Sequence, residues 1–131
     1  MIVTGSALMH WTEIAERRAV AGTGDVAIFD LHGQMTLSGE EEPRLLLAIR
    51  AAVQNGARHV LLNLTHVSYV DSTGIGEIVG AYTRVARHGG SLKLVGVSSR
   101  IQELLDTTNI DTVIPSFPDE ASALRAFDAG A

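Results

Sequence analysis

Asp71, Ser72, Thr73 and Gly74 stand together directly after an apolar run and directly before a segment with helical spacing. A serine at a helix start holds its hydroxyl beside unpaired backbone N–H groups and the positive end of the helix dipole, where added negative charge is tolerated. The chemistry open to such a hydroxyl is acceptance of a phosphoryl group. The plainer reading is structural, with Asp71 or Ser72 capping the helix. Ser72, Gly76 and Gly80 recur every four residues and so share one stripe, away from the helix's apolar face. Two glycines on an exposed stripe cost roughly 1 kcal/mol each relative to alanine, so something is expected to pack there. A bare strip would let a partner's backbone approach closely, or it would fit a neighbouring loop of the same chain.

Other chemistries find less support. Thr73 is a second hydroxyl, but β-branching and its place inside the first turn restrict it. His10, His32, His59, His66 and His88 show no ligand spacing with carboxylates and read as surface or strand-end residues, so no metal is expected. A serine hydrolase would want G-x-S-x-G around its nucleophile, whereas Ser72 is flanked by Asp71 and Thr73. The glycines at 74 and 76 and at 89 and 90 match neither a phosphate loop nor a dinucleotide fingerprint. Neither catalysis nor a cofactor is expected.

The chain has 131 residues, of which 46% are hydrophobic and 19% charged, which suits one domain with a core of its own. The absence of cysteine excludes disulfides, thiol nucleophiles and cysteine metal sites. A formal net charge of −5 with Lys93 as the single lysine argues against nucleic-acid binding. The uncharged run at residues 1–12 is too short to span a bilayer and lacks the basic lead-in of a signal peptide. A cytoplasmic protein is the expectation.

The elements that must position Ser72 follow from periodicity. Residues 1–11 show no period and are expected to be a flexible leader, with the domain over 12–131. A mixed segment at 12–20 reads as an exposed edge strand, and the Gly22-Thr23-Gly24-Asp25 cluster turns the chain into a second strand at 26–31, ended by Gly33. Glu40, Glu41, Glu42 and Pro43 open a helix carrying Leu45, Leu46, Ile49, Ala52 and Val53, which Asn55-Gly56 stops. The apolar run at 59–64 has the composition of a strand buried on both faces. Ile75, Ile78, Val79, Tyr82, Val85 and Ala86 predict a helix over 74–88. A strand at 91–97 follows. Ser98 or Ser99 should cap a third helix, with Glu103 completing a capping box. Val113 and Ile114 suggest a last short strand before Pro115, and Asp119 should cap a terminal helix. Strand, strand, helix, and then three helix-separated strands with a final helix define an α/β domain. It would have a mixed sheet of about five strands and about four helices packed against it.

Residues 60–97, with V-L-L-N-L-T-H-V-S-Y-V-D-S-T-G-I-G-E-I-V-G and then G-G-S-L-K-L-V-G-V, resemble the STAS domain of bacterial anti-sigma factor antagonists. S-R-I-Q-E-L-L-D-T-T-N-I resembles that family's next helix, so the likeness covers roughly residues 26–128. The resemblance implies partner switching. The unmodified protein would bind an anti-sigma factor through Asp71, Ser72, Thr73, Gly74, Gly76, Glu77 and Gly80. That partner, a serine kinase, would phosphorylate Ser72, with Thr73 the lesser candidate, and a serine phosphatase would reset it. Other uses of the fold are a scaffold or assembly module that is not phosphorylated, and a small-ligand carrier. One departure stands out. Many members carry Gly-Glu-Leu-Asp or Gly-Glu-Ile-Asp at the end of the second strand, where this chain has Gly33-Gln34-Met35-Thr36. If that aspartate helps place the serine for the kinase, phosphorylation here is slower, differently timed or absent.

Overall fold

The computed structural model describes residues 11–35 and 44–128. Two long strands, β1 (Trp11–Ala21) and β2 (Gly24–Met35), form an antiparallel hairpin across the Gly22-Thr23 turn. Then follow α1 (Arg44–Gln54), β3 (His59–Val70), α2 (Ser72–Arg87), β4 (Leu92–Val95), α3 (Ser99–Thr107), a 3-10 turn (Ile110–Thr112), β5 (Ser116–Phe117) and α4 (Glu120–Asp128). The sheet order is β1-β2-β3-β4-β5, and every pair after the hairpin is parallel. This is the expected mixed five-stranded sheet with four helices.

Strand alternation explains why both faces are covered. In β2, Ala27, Phe29 and Leu31 join one apolar cluster, while Val26 and Ile28 join another on the opposite face. The larger cluster takes Leu45 and Ile49 from α1, Ile75, Ile78, Ala81 and Val85 from α2, and Ile101 and Leu105 from α3. The smaller one is closed by Ala123 and Phe127 of α4.

Several boundaries differ from expectation for identifiable reasons. Gly33 does not end β2. It takes a positive φ of 112° where the register with β3 slips, and the strand continues to Met35 opposite Val70. By the same pairing β3 runs on from the apolar run to Val70, through exposed Thr65, His66, Ser68 and Tyr69. β4 is shorter than the apolar letters suggest because Gly96, at a φ of +74°, turns away where any Cβ would collide with Thr65. Ser98, not Ser99, caps α3, accepting the Ile101 N–H at 3.2 Å. The capping-box position three residues on is therefore Ile101, and Glu103 has no part in the cap. Val113 and Ile114 close the 3-10 turn, with Ile114 N–H donating to the Ile110 carbonyl at 2.9 Å, and β5 begins only after Pro115. Asp119 does cap α4, accepting the Ser122 N–H at 2.8 Å. Trp11 already belongs to β1, while residues 1–10 of the expected leader and the acidic trio Glu40 to Glu42 lie outside the described residues.

Candidate functional site

α2 starts two residues earlier than its apolar period, at Ser72, because Asp71 is a strong cap. Its extended backbone (φ −108°, ψ −171°) lets Oδ1 accept the Thr73 and Gly74 N–H groups at 2.9 and 3.1 Å. Its own carbonyl accepts the Ile75 N–H at 2.9 Å. The choice between Asp71 and Ser72 as cap is thus decided in favour of Asp71. Ser72 is the first helical residue and exposed, and no hydrogen bond engages its hydroxyl among the described residues. Thr73 is half-buried and Gly74 buried, so of the two hydroxyls Ser72 has the open approach.

The stripe beyond Ser72 divides. Gly76 is exposed, and a Cβ there would meet nothing within 4 Å. Gly80 is half-buried, and a Cβ there would stand 3.4 Å from Leu46 of α1. Gly80 thus packs within the chain, whereas Gly76 is left with open space beside it among the described residues. Val79 (38% exposed) and Tyr69 (44% exposed) add apolar surface nearby in the chain. Tyr69 and Val70, at the end of β3, line an open groove of about 320 Å³ with Arg100, Glu103, Leu104 and Thr107 of α3. These α3 residues and Tyr69 were invisible as site candidates because the sequence shows Tyr69 only as one more strand residue.

Glu77 is where the structure departs most from a surface reading. It is 5% exposed, and its Oε1 has no hydrogen-bond partner among the described residues. Burial, and then the neighbouring Asp71 charge, push its carboxyl up to about 7. Its position falls off the four-residue stripe, and it is buried.

Of the histidines, His10 lies outside the described residues, and the other four have structural or mutual contacts. His59 is the first residue of β3, a strand-end position as expected, but buried, its Nδ1 accepting the Ser91 N–H at 3.1 Å and its Nε2 lying 2.8 Å from Thr23 Oγ1. Burial holds it below the usual histidine range. His32 and His66 stack with centroids 4.7 Å apart, and His88 is the C-cap of α2. Among the described residues no three histidines or carboxylates gather as a metal site would require, and no helix is long and apolar enough to cross a membrane.

A strand ending in an aspartate-capped helix with an exposed serine, on a mixed sheet of this order, defines the STAS class of domain. The STAS domain family matches residues 17–123, and the chain belongs to it. It is 26% identical to the anti-sigma F factor antagonist of Paenibacillus polymyxa over 103 residues, covering 79% of this chain and 87% of the relative. It is 47% identical to the anti-sigma-B factor antagonist of Bacillus subtilis over 51 residues, 39% of this chain and 47% of the relative, so that match spans about half of the relative's length. The crystal structure of an anti-sigma factor antagonist from Mycobacterium paratuberculosis superimposes with a TM-score of 0.69 at 20% identity, covering 87% of this chain and 93% of that one. At that identity the last likeness speaks for the fold.

Proposed function

We propose that this chain is an anti-sigma factor antagonist, a binding protein and not an enzyme, switched by phosphorylation of Ser72. Unmodified, it docks an anti-sigma factor serine kinase through Asp71, Ser72, Thr73, Gly74, Gly76 and the near side of Gly80. Glu77 supports that surface from beneath. The names of its relatives support the partner class. The observation that carries the reading is the free hydroxyl. Asp71 takes the first-turn amides and so leaves Ser72 unengaged beside the open strip at Gly76.

The same cap explains how a phosphate would eject the partner. A phosphoryl group adds about −1.5 to −2 charges beside the Asp71 carboxylate, which already occupies the Thr73 and Gly74 amides. Closing an interface over that charge without new cations costs about 3 to 4 kcal/mol, or two to three orders of magnitude in affinity. A serine phosphatase then restores binding.

Intact-mass analysis after incubation with ATP and the candidate kinase tests the site. One added phosphate is expected on the wild type and none on Ser72→Ala. Ser72→Ala should bind the anti-sigma factor permanently and Ser72→Asp at least a hundredfold more weakly, by the charge argument above. Equal binding by both variants would favour a constitutive scaffold. That second reading has its own observation, since exposed Gln34 pairs with Tyr69 at the end of β2, where an acidic residue would be expected from the family.

A further inference from the structure

The outer edge of the sheet is long, and no described element covers it. β1 offers eleven residues, with no proline, and its ladder to β2 is regular from Glu13 to Ala21. Nothing pairs with its outer backbone edge among the described residues. Such an edge is a template for another strand unless something blunts it. Val20, near its end, is 84% exposed, the most exposed large apolar side chain described.

Alternation puts Ile14, Glu16, Arg18 and Val20 on one face of β1 and Ala15, Arg17 and Ala19 on the other. The second face is already settled. Arg17 donates to Asp30 at 2.6 Å and to Glu120 of α4 at 2.8 Å, so its charge is matched within the chain.

We propose that β1 pairs antiparallel with β1 of a second copy, joining two sheets into one across a two-fold axis at Arg17. A two-fold perpendicular to the sheet keeps each residue on its own face, so a residue near the middle of the strand must lie opposite itself. Centring on Glu16 sets Glu16 against Glu16 of the second copy. Centring on Arg18 opposes the two Arg18 side chains. Centring on Arg17 instead sets Glu16 opposite Arg18 twice, and covers each exposed Val20 with an Ile14. Directly opposed residues of this kind are the unit of sheet stabilisation, and opposite charges there are favourable where like charges are not. The two Arg17 residues meet on the other face, each already neutralised by Asp30 and Glu120. Glu16 and Arg18 also form a pair within the chain, 3.1 Å apart, so both are held on the face they would present.

Sedimentation equilibrium of the full chain up to about 0.5 mM tests this, with thermal melts as a check on folding. The wild type is expected to approach twice the monomer mass. Glu16→Arg and Arg18→Glu should each weaken association at least tenfold by opposing like charges, and the double exchange should restore it. Val20→Lys, which changes an exposed side chain, should stay monomeric while melting like the wild type. A wild type that is monomeric throughout overturns the proposal. So does association that survives the single exchanges, or a double exchange that melts normally and does not associate. Association appearing only after residues 1–10 are removed would show the edge to be taken by the chain itself, and would overturn it too. Ser72→Asp should leave the mass unchanged, which separates this interface from the proposed switch.

Discussion

Ser72 and Glu77 are five residues apart on one helix and have opposite environments. Ser72 is exposed and Glu77 buried, and the same Asp71 acts on both by occupying amides and by adding negative charge. Glu77 makes stability depend on pH with a definite sign. Its ordinary value is 4.5 and its folded value about 7. Below the ordinary value the group is protonated whether folded or not, and it costs nothing. Between the two values the unfolded chain ionises first, so stability falls as pH rises, and the penalty from this one group reaches its full size above the folded value. Glu77→Gln removes this term. It should be more stable than the wild type by about 1 to 2 kcal/mol at pH 8, less than the whole shift is worth because solvent screens part of the site. The advantage should shrink towards zero near pH 4 in urea unfolding. A difference that stays flat across pH would mean that Glu77 is not a buried carboxyl in solution.

At the scale of α2, the cap and the glycine stripe have separable roles. Asp71→Ala removes the acceptor of two first-turn amides and should cost about 1 kcal/mol, read as a lower urea midpoint with an unchanged slope. Gly76→Ala adds a methyl group into open space on a helix, so it should raise stability by roughly 1 kcal/mol. If the proposed partner packs on that strip, the same change should weaken binding, an outcome no folding effect would mimic. Gly80→Ala should be tolerated by the fold, because its methyl would meet the flexible end of Leu46 at ordinary contact distance. Stabilisation at Gly76 with undiminished binding would move the docking surface elsewhere, and the Tyr69 and α3 groove would become the next surface to test.

At the scale of the molecule, the two faces of the sheet are unequally insured. Among the described residues three helices cover one face, whereas α4 alone covers the other, chiefly through Phe127. The Phe127 ring lies 4.7 Å from Lys93 Nζ and 5.0 Å from the His59 ring, and the Thr23 hydroxyl donates to its carbonyl. Phe127→Ala should therefore cost about 3 to 5 kcal/mol, a large share of a small domain's stability, measured by urea unfolding. Arg17 ties β1 to β2 and α4, yet its partners are partly exposed, and Arg17→Ala should cost no more than about 1 kcal/mol. A larger loss would show the hairpin to depend on that clamp more than on Val26 and Ile28 on the same face of β2.

What the sequence determined by itself was local. The spacing of Ile75, Ile78 and Val85 defined the helix, Asp71 and Ser72 its start, and two-sided apolar runs the parallel strands, because periods of two and 3.6 are set by the backbone alone. The tertiary structure decided whatever depends on residues far apart in the chain. β2 and β3 extend past their apolar letters because each supplies the other's hydrogen bonds, and β4 stops early because Thr65 fills the space at Gly96. Gly80 faces Leu46, while its stripe-mate Gly76 faces nothing among the described residues. Glu77 reads as a charged surface residue by type, and only the packing around α2 buries it. The sequence could mark Ser72 as a helix-start hydroxyl. That Asp71 does the capping and leaves this hydroxyl free is a matter of angles and distances, which letters do not carry.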